Sequence, residues 1–393
     1  MTTALRRGTV AFAMATMLCS PQAARADEQI KLGLSVPLSG SGAIWGKAIE
    51  WLCKKAAQEI RSDGGIKVKD KIYNVECIAY DNKYNAADGT KVAQTLLNRD
   101  GVKYIYGFGT AAILATQSLS ERQGAMLFNT SWGKNSKGPK FPLTFTVGNS
   151  PIEIMPAMVK FITQAHPEAK TMVLLNANDA SGRETEVVSR PLWEKAGIKI
   201  LASDFYERGT TEFQPIATRI ASLKPDIVNL SSAPPADAGQ IFKELDVLGF
   251  KGIKITDNGT GADGLMTTGG NAVNGVYMGA AMTFDGATVS DHQRKLNEEA
   301  RAYLGESLSL AEITGYDTVY ILKAGIEKAQ SIEPKDVAAV LPSISFRTFY
   351  GGETGFGGTE DYAAKIQALL PVYVTQIVDG KLVERSRIDP RVR

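Results

Sequence analysis

From Ile30 onward, short runs of β-branched and aliphatic residues alternate with longer stretches whose apolar positions recur at helical spacing. Residues 30–36 read as a strand. The stretch 43–60 then sets Ile44, Trp45, Ala48, Ile49, Leu52, Ala56 and Ile60 on one helical face, and Gly64-Gly65 ends it. Further strands are predicted at 72–80, 102–106 and 125–129, with helices at 86–98 and 111–123 between them. A second series begins after Ser150-Pro151: helices at 152–164, 182–195, 213–223 and 236–248 alternate with strands at 171–175, 199–205, 226–230 and 252–256. Residues 276–282 read as a crossing strand, and helices follow at 291–303, 311–328 and 334–341. The chain closes on a hairpin, with 372–377 and 381–384 flanking Asp379-Gly380. Strands alternating with helices of this length imply βαβ units and parallel sheets.

The start of the chain lies outside this pattern. Arg6 and Arg7 precede an uncharged stretch at 8–18, then Ala24-Arg25-Ala26 leads into polar Asp27-Glu28. That is the layout of a secretory signal peptide cut after Ala26, and the uncharged stretch is shorter than the ~20 residues a membrane span requires. Export to the periplasm is expected, as a released product, because Leu18 before Cys19 does not suit lipid attachment. Without residues 1–26 the balance is 41 basic against 42 acidic residues, and no basic run points to nucleic acid. The 367 residues left exceed the roughly 250–300 at which single cores stop growing. The expected fold is α/β, with two doubly wound parallel-sheet lobes joined by a hinge of three crossings near 148, 280 and 350. The first lobe then comprises 27–148 with 280–350, and the second 149–279 with 351–393.

Candidate chemistry is sparse. The run GFGTAA at 107–112 follows a strand and opens a helix, as a dinucleotide turn does, but the next strand ends at Asn129 without the acid that would hold a ribose. Its physical content remains: a glycine turn leaves the N–H groups of Thr110 and Ala111 at a helix N-terminus, where an anionic oxygen can sit. The run GTGADG at 259–264 lies too close to Val276 for an ordinary crossover helix and reads as a cleft loop. DNKYN at 81–85 starts like a calcium loop, yet Lys83 takes a ligand position and Ala86 the place of the central glycine. His166 and His292 both read as solvated surface residues, and no zinc, serine-hydrolase or Walker motif occurs. No cofactor, metal or catalytic group is expected. Two cysteines, Cys53 and Cys77, follow the leader; in an oxidising compartment they are expected to be bridged, with two buried thiols as the alternative.

Several marks occur together: LSVPLSG at 34–40 followed by Trp45-Gly46, a helix carrying Cys53, a strand carrying Cys77 and running into Asp81, the turn and helix at 107–115, Asp226 with Ile227 and Val228, and FKGIKI at 250–255. With them, residues 27–385 resemble the branched-chain amino-acid-binding family of periplasmic proteins, the ligand-capture components of ABC importers with the type I periplasmic-binding-protein fold. The resemblance implies a helix-to-strand disulfide between Cys53 and Cys77. It also implies a ligand carboxylate held at Gly109-Thr110-Ala111 and Ser131-Trp132-Gly133, and an aromatic pocket wall at Trp45. Trp45 as plain core and Trp132 as a loop cap are the alternatives.

The second lobe departs from the amino-acid pattern. Ser181 stands where a tyrosine follows the Asp179 loop, Asn258 stands where a glutamate pairs with the ammonium, and Ser231-Ser232-Ala233-Pro234 lacks a ligand-facing aromatic. Asp257 or Asp179 is left as the only substitute carboxylate. A buried ammonium without a carboxylate partner is strongly disfavoured. The expected ligand is therefore a small organic acid, an aromatic carboxylate first and an aliphatic oxo or hydroxy acid second, with a true amino-acid or amide binder as the alternative. The expected partner is an ABC permease in the inner membrane, and the protein is expected to be a monomer. A ligand-sensing receptor module is the competing class, and an enzyme ranks third.

Overall fold

The computed structural model describes Met1, residues 28–257 and residues 261–388; the expected leader and Asn258 lie outside the described residues. The first half runs β1 (Glu28–Val36), α1 (Ala43–Ser62), β2 (Ile66–Val68), β3 (Lys71–Asp81), α2 (Ala86–Gln94), β4 (Tyr104–Gly107), α3 (Thr110–Gln123), β5 (Met126–Asn129) and β6 (Thr144–Thr146). It continues through α4 (Pro151–Ala165), β7 (Thr171–Ala177), α5 (Ala180–Lys195), β8 (Lys199–Tyr206), α6 (Gln214–Ser222), β9 (Ile227–Asn229), α7 (Pro235–Val247), β10 (Ile253–Thr256), α8 (Ala262–Gly269) and β11 (Tyr277–Met278). The remainder is α9 (Asp291–Leu304), α10 (Leu310–Ala329), α11 (Pro334–Val340), β12 (Phe346–Arg347), β13 (Glu353–Thr354), β14 (Phe356–Gly357), α12 (Thr359–Tyr362), β15 (Gln367–Ala368), β16 (Val372–Val378) and β17 (Lys381–Ile388).

Two sheets result. The first is ordered β14-β15-β6-β5-β4-β1-β3-β2 and the second β17-β16-β11-β10-β9-β7-β8. Their parallel centres, β3-β1-β4-β5-β6 and β8-β7-β9-β10-β11, repeat one doubly wound order. Central strands such as β4, β5 and β9 are buried throughout and read as apolar runs up to the closing Asn129 and Asn229, because helices cover both faces. On α1 the expected apolar face is buried from Trp45 to Ile60, with Ile44 only half-buried. Cys53 on that face bridges to Cys77 on β3, 24 residues away. Replacing both cysteines with alanine is expected to cost about 3 kcal/mol by freeing that loop in the unfolded chain, read as a lower urea midpoint for the double variant.

The chain leaves the first sheet after β6, where Ser150 and Glu153 form a capping box for α4, and returns between β11 and α9. The third crossing is a correction. It falls between β15 and β16 rather than near 350, because β14 and β15 hydrogen-bond into the first sheet, β15 beside β6. Residues 351–368 thus pack with the first lobe; two-residue strands among glycines carry no periodicity that could assign them. A buried ammonium ties this segment down: Lys137 Nζ donates to Ser150 Oγ (3.2 Å), Tyr362 Oη (3.1 Å) and Gln367 Oε1 (3.0 Å), and burial lowers its pKa. The expected loop at 259–264 is also corrected. Residues 262–269 form α8, a short crossover that buries Ala262, Leu265 and Gly269 against α7, and two-residue β11 replaces the longer strand expected at 276–282.

Candidate functional site

In open α/β sheets, ligands bind beyond the carboxyl ends of the strands, where the strand order reverses. Both sheets turn those ends toward a common cavity between them. The loops after β4 and β5 supply Phe108, Thr130 and Trp132, and the loop after β9 supplies Ser232 and Ala233. The crossings add Gly148, Asn149, Ala280 and Leu370; α10 adds Leu310, Ala311 and Thr314, and Tyr350 completes the lining with Trp45, Tyr84 and Ile154. Among the described residues that line it, none carries a charge.

One wall is an aromatic cluster. The Trp45 ring lies 6.0 Å from Tyr84 and 5.7 Å from Phe108, and Tyr84 meets Phe108 edge-on at 6.1 Å. The run 81–85, which begins like a calcium loop, builds this wall. Asn82 donates from its amide to the carbonyls of Ser35 and Phe108, and its Oδ1 accepts from Tyr84 N at 2.9 Å. Asp81 accepts from Leu38 N, Ser39 Oγ and Lys83 N. These bonds hold Tyr84 at φ +60°, a conformation that costs a non-glycine residue free energy and persists only where its surroundings enforce it.

Beside that wall two helix N-termini meet across the lobes. Gly109 caps α3 at φ +88°, where a Cβ would press on the Tyr84 ring at 3.3 Å, so glycine is required. The first backbone bond of α3 is made by Ile113 N, which leaves the N–H groups of Thr110, Ala111 and Ala112 ahead of the ladder. Opposite, Ser181 in the first turn of α5 donates to Thr110 Oγ1 at 3.0 Å, and its Oγ lies 3.3 Å from the Tyr84 hydroxyl. Both helix ends carry partial positive charge; α3 has no acidic residue in its first turn, and the Asp179 carboxylate that caps α5 is paired with Arg208, so their meeting point favours an anion.

The residues expected at the site divide accordingly. Trp45, Trp132 and Ser232 line the cavity, and Ser232 Oγ accepts from Ala177 N at 2.9 Å. Gly109, Thr110, Ala111 and Ser181 sit at the helix-terminal contact, with Ser131 one loop away, its Oγ accepting from Gly133 N. Asp179 is placed differently from its expected ligand role: it caps α5 through Gly182 N and pairs with Arg208, whose guanidinium lies 4.4 Å over the Tyr84 ring. Asp257 is fully buried and accepts from Asn229 (2.5 Å) and Ser231 (2.9 Å), and it does not line the cavity. Tyr84, Phe108, Asn149, Thr314 and Tyr350 are cavity residues that sequence reasoning missed. Only the first two carry a signal, since Tyr84 sits in the calcium-like run 81–85 and Phe108 in the dinucleotide-like turn 107–112.

Two doubly wound lobes, linked three times and enclosing one cavity between their strand ends, define a ligand-capturing protein of the type I periplasmic-binding-protein fold. A family model described as periplasmic binding protein matches residues 29–381, and the chain belongs to that family. It is 24% identical over 343 residues to the Leu/Ile/Val-binding protein BraC3 of Rhizobium johnstonii, covering 84% of this chain and 89% of that one. Among solved structures, a leucine-binding protein from Thermotoga maritima superposes with TM-score 0.78 at 18% identity, over 93% of this chain and 100% of that one. An ABC-transporter solute-binding protein from R. palustris, in complex with benzoate, superposes with TM-score 0.76 at 18% identity, over 92% and 97%. These relatives are named as binding proteins, not enzymes, and no described helix is long and apolar enough to cross a membrane.

Proposed function

We propose that this protein is the exported, periplasmic substrate-binding component of an ABC importer of the branched-chain amino-acid class, and that it captures a small aromatic carboxylate by lobe closure. The observation that carries the ligand reading is the cavity lining: mainly aromatic and aliphatic side chains, with the neutral polar groups of Thr130, Asn149, Ser232 and Thr314 and no charged group among the described residues. An α-ammonium would find no carboxylate there, and burying it unpaired is prohibitive. A planar ring suits the Trp45, Tyr84 and Phe108 wall, and its carboxylate suits the paired helix N-termini at Thr110 and Ser181. The benzoate carried by the R. palustris neighbour is in keeping with this chemistry. Lobe closure would present the paired surfaces to a membrane permease, and binding requires no cofactor. Native mass spectrometry of the protein as purified from its source is expected to show an added mass matching an aromatic acid; a retained leucine, isoleucine or valine would overturn the ligand assignment.

A further inference from the structure

Asn149 lies in the first crossing, between Gly148 and the Ser150 cap of α4, and lines the cavity. Its Nδ2 donates to the carbonyl of Pro371 in the third crossing at 2.9 Å, which fixes the orientation of the amide. The other end, Oδ1, is then held as an acceptor, buried and without a hydrogen-bond partner among the described residues. Thr130 Oγ1, on the same lining, is also buried without a hydrogen-bond partner among the described residues, although the Tyr106 phenol stands near it. The Thr314 hydroxyl is already engaged, with Tyr106 Oη at 2.6 Å and Ala311 O at 2.5 Å. A buried acceptor left without a donor carries an uncompensated desolvation cost, and this one repels a carboxylate oxygen while accepting from an O–H or N–H.

We infer that Asn149 is a specificity-determining residue that accepts a hydrogen bond from a hydroxyl on the ligand ring, so that the preferred ligands are hydroxylated aromatic acids rather than unsubstituted ones. This rests on the aromatic-carboxylate reading above. The anionic end of the ligand belongs at the helix N-termini of Thr110 and Ser181, and the neutral donor belongs at Asn149. A site that hydrogen-bonds a ligand hydroxyl discriminates against the analogue lacking it, because its own polar group is then buried unpaired.

The test is calorimetric titration of the leaderless full chain with benzoate, the three monohydroxybenzoates and their methoxy counterparts. At least one hydroxybenzoate is expected to bind about ten-fold or more tightly than both benzoate and its own methoxy analogue, which keeps the oxygen but has no donor. In Asn149→Leu the ratio is expected to fall to within about two-fold. Wild-type affinities all within about two-fold would overturn the inference and show that water serves Oδ1 instead, while leaving the aromatic-acid reading in place. A preference that survives in Asn149→Leu would overturn it as well. Absence of binding by every acid in the series would overturn the aromatic reading itself, and this inference with it. The methoxy comparison needs no variant, so the test stands even if Asn149→Leu folds poorly.

Discussion

Replacing Thr110 with valine and Ser181 with alanine together is expected to weaken binding of an aromatic carboxylate by more than about 100-fold. Each hydroxyl stands in the first turn of a helix whose N-terminus faces the other lobe, and the two now bond to each other. A carboxylate entering between them exchanges that neutral bond for charge-assisted ones, worth about 1.5–3 kcal/mol each. Removing both hydroxyls forfeits roughly twice that, and each single variant is expected to lose about ten-fold or more. Valine keeps the shape of threonine, and the N–H groups of α3 remain, so folding of each lobe is unaffected. Calorimetric titration checks the affinities, and thermal melts without ligand check the fold. A double variant that binds within about three-fold of wild type would place the carboxylate elsewhere.

Asp317→Asn is expected to make the protein more stable, by an amount that depends on pH. Asp317 on α10 is fully buried; its Oδ1 accepts from Phe349 N at 2.6 Å, while Oδ2 has no partner among the described residues. Burial pushes its pKa up to about 8. Between the unfolded carboxyl value near 4 and this folded value, the folded state holds a proton that the unfolded state has released, so stability falls as pH rises. The loss is about 1.4 kcal/mol per pH unit over that window and stops above about pH 8, where both states are ionised. Asparagine keeps the acceptor for Phe349 and has no proton to lose. Urea melts at pH 5 and pH 8 are expected to show the advantage of the variant growing by several kcal/mol between them. Glu312, one turn earlier and also raised to about 8 by burial, adds to the same slope in both proteins. Parallel profiles for variant and wild type would show that Asp317 is ionised when folded.

Much of this architecture is legible along the chain for a simple reason. A helix such as α1, with its buried stripe from Trp45 to Ile60, and a strand such as β4, buried at every position, announce themselves by period and composition. The cysteine pair is legible because only two remain beyond the expected leader. The candidate site is legible where it coincides with such elements, at Trp45 on α1 and at Thr110 and Ser181 at helix starts, and in the loops only where a resemblance marks it, at Trp132 and Ser232. Asn149, Tyr350 and Leu370 are not, since they come from crossings and irregular segments whose contacts are set by how two lobes dock. The third crossing fails for the same reason, because β14 and β15 owe their existence to β6 beside them rather than to local preference. Asp179 shows the converse: a carboxylate in the right loop whose bonds to Gly182 and Arg208 consume it before a ligand can.

The cleft is expected to take an aromatic acid and not a free amino acid. Thermal-shift measurement of the leaderless protein against aromatic carboxylates, aliphatic oxo and hydroxy acids, and leucine, isoleucine and valine tests it directly. Because a ligand that binds only the folded state stabilises it in proportion to ln(1 + [L]/Kd), aromatic acids at saturating concentration are predicted to raise the melting temperature by several degrees, with no shift from the branched-chain amino acids. Stabilisation by leucine or valine alone would contradict the account and would mean that the second lobe supplies an ammonium site after all.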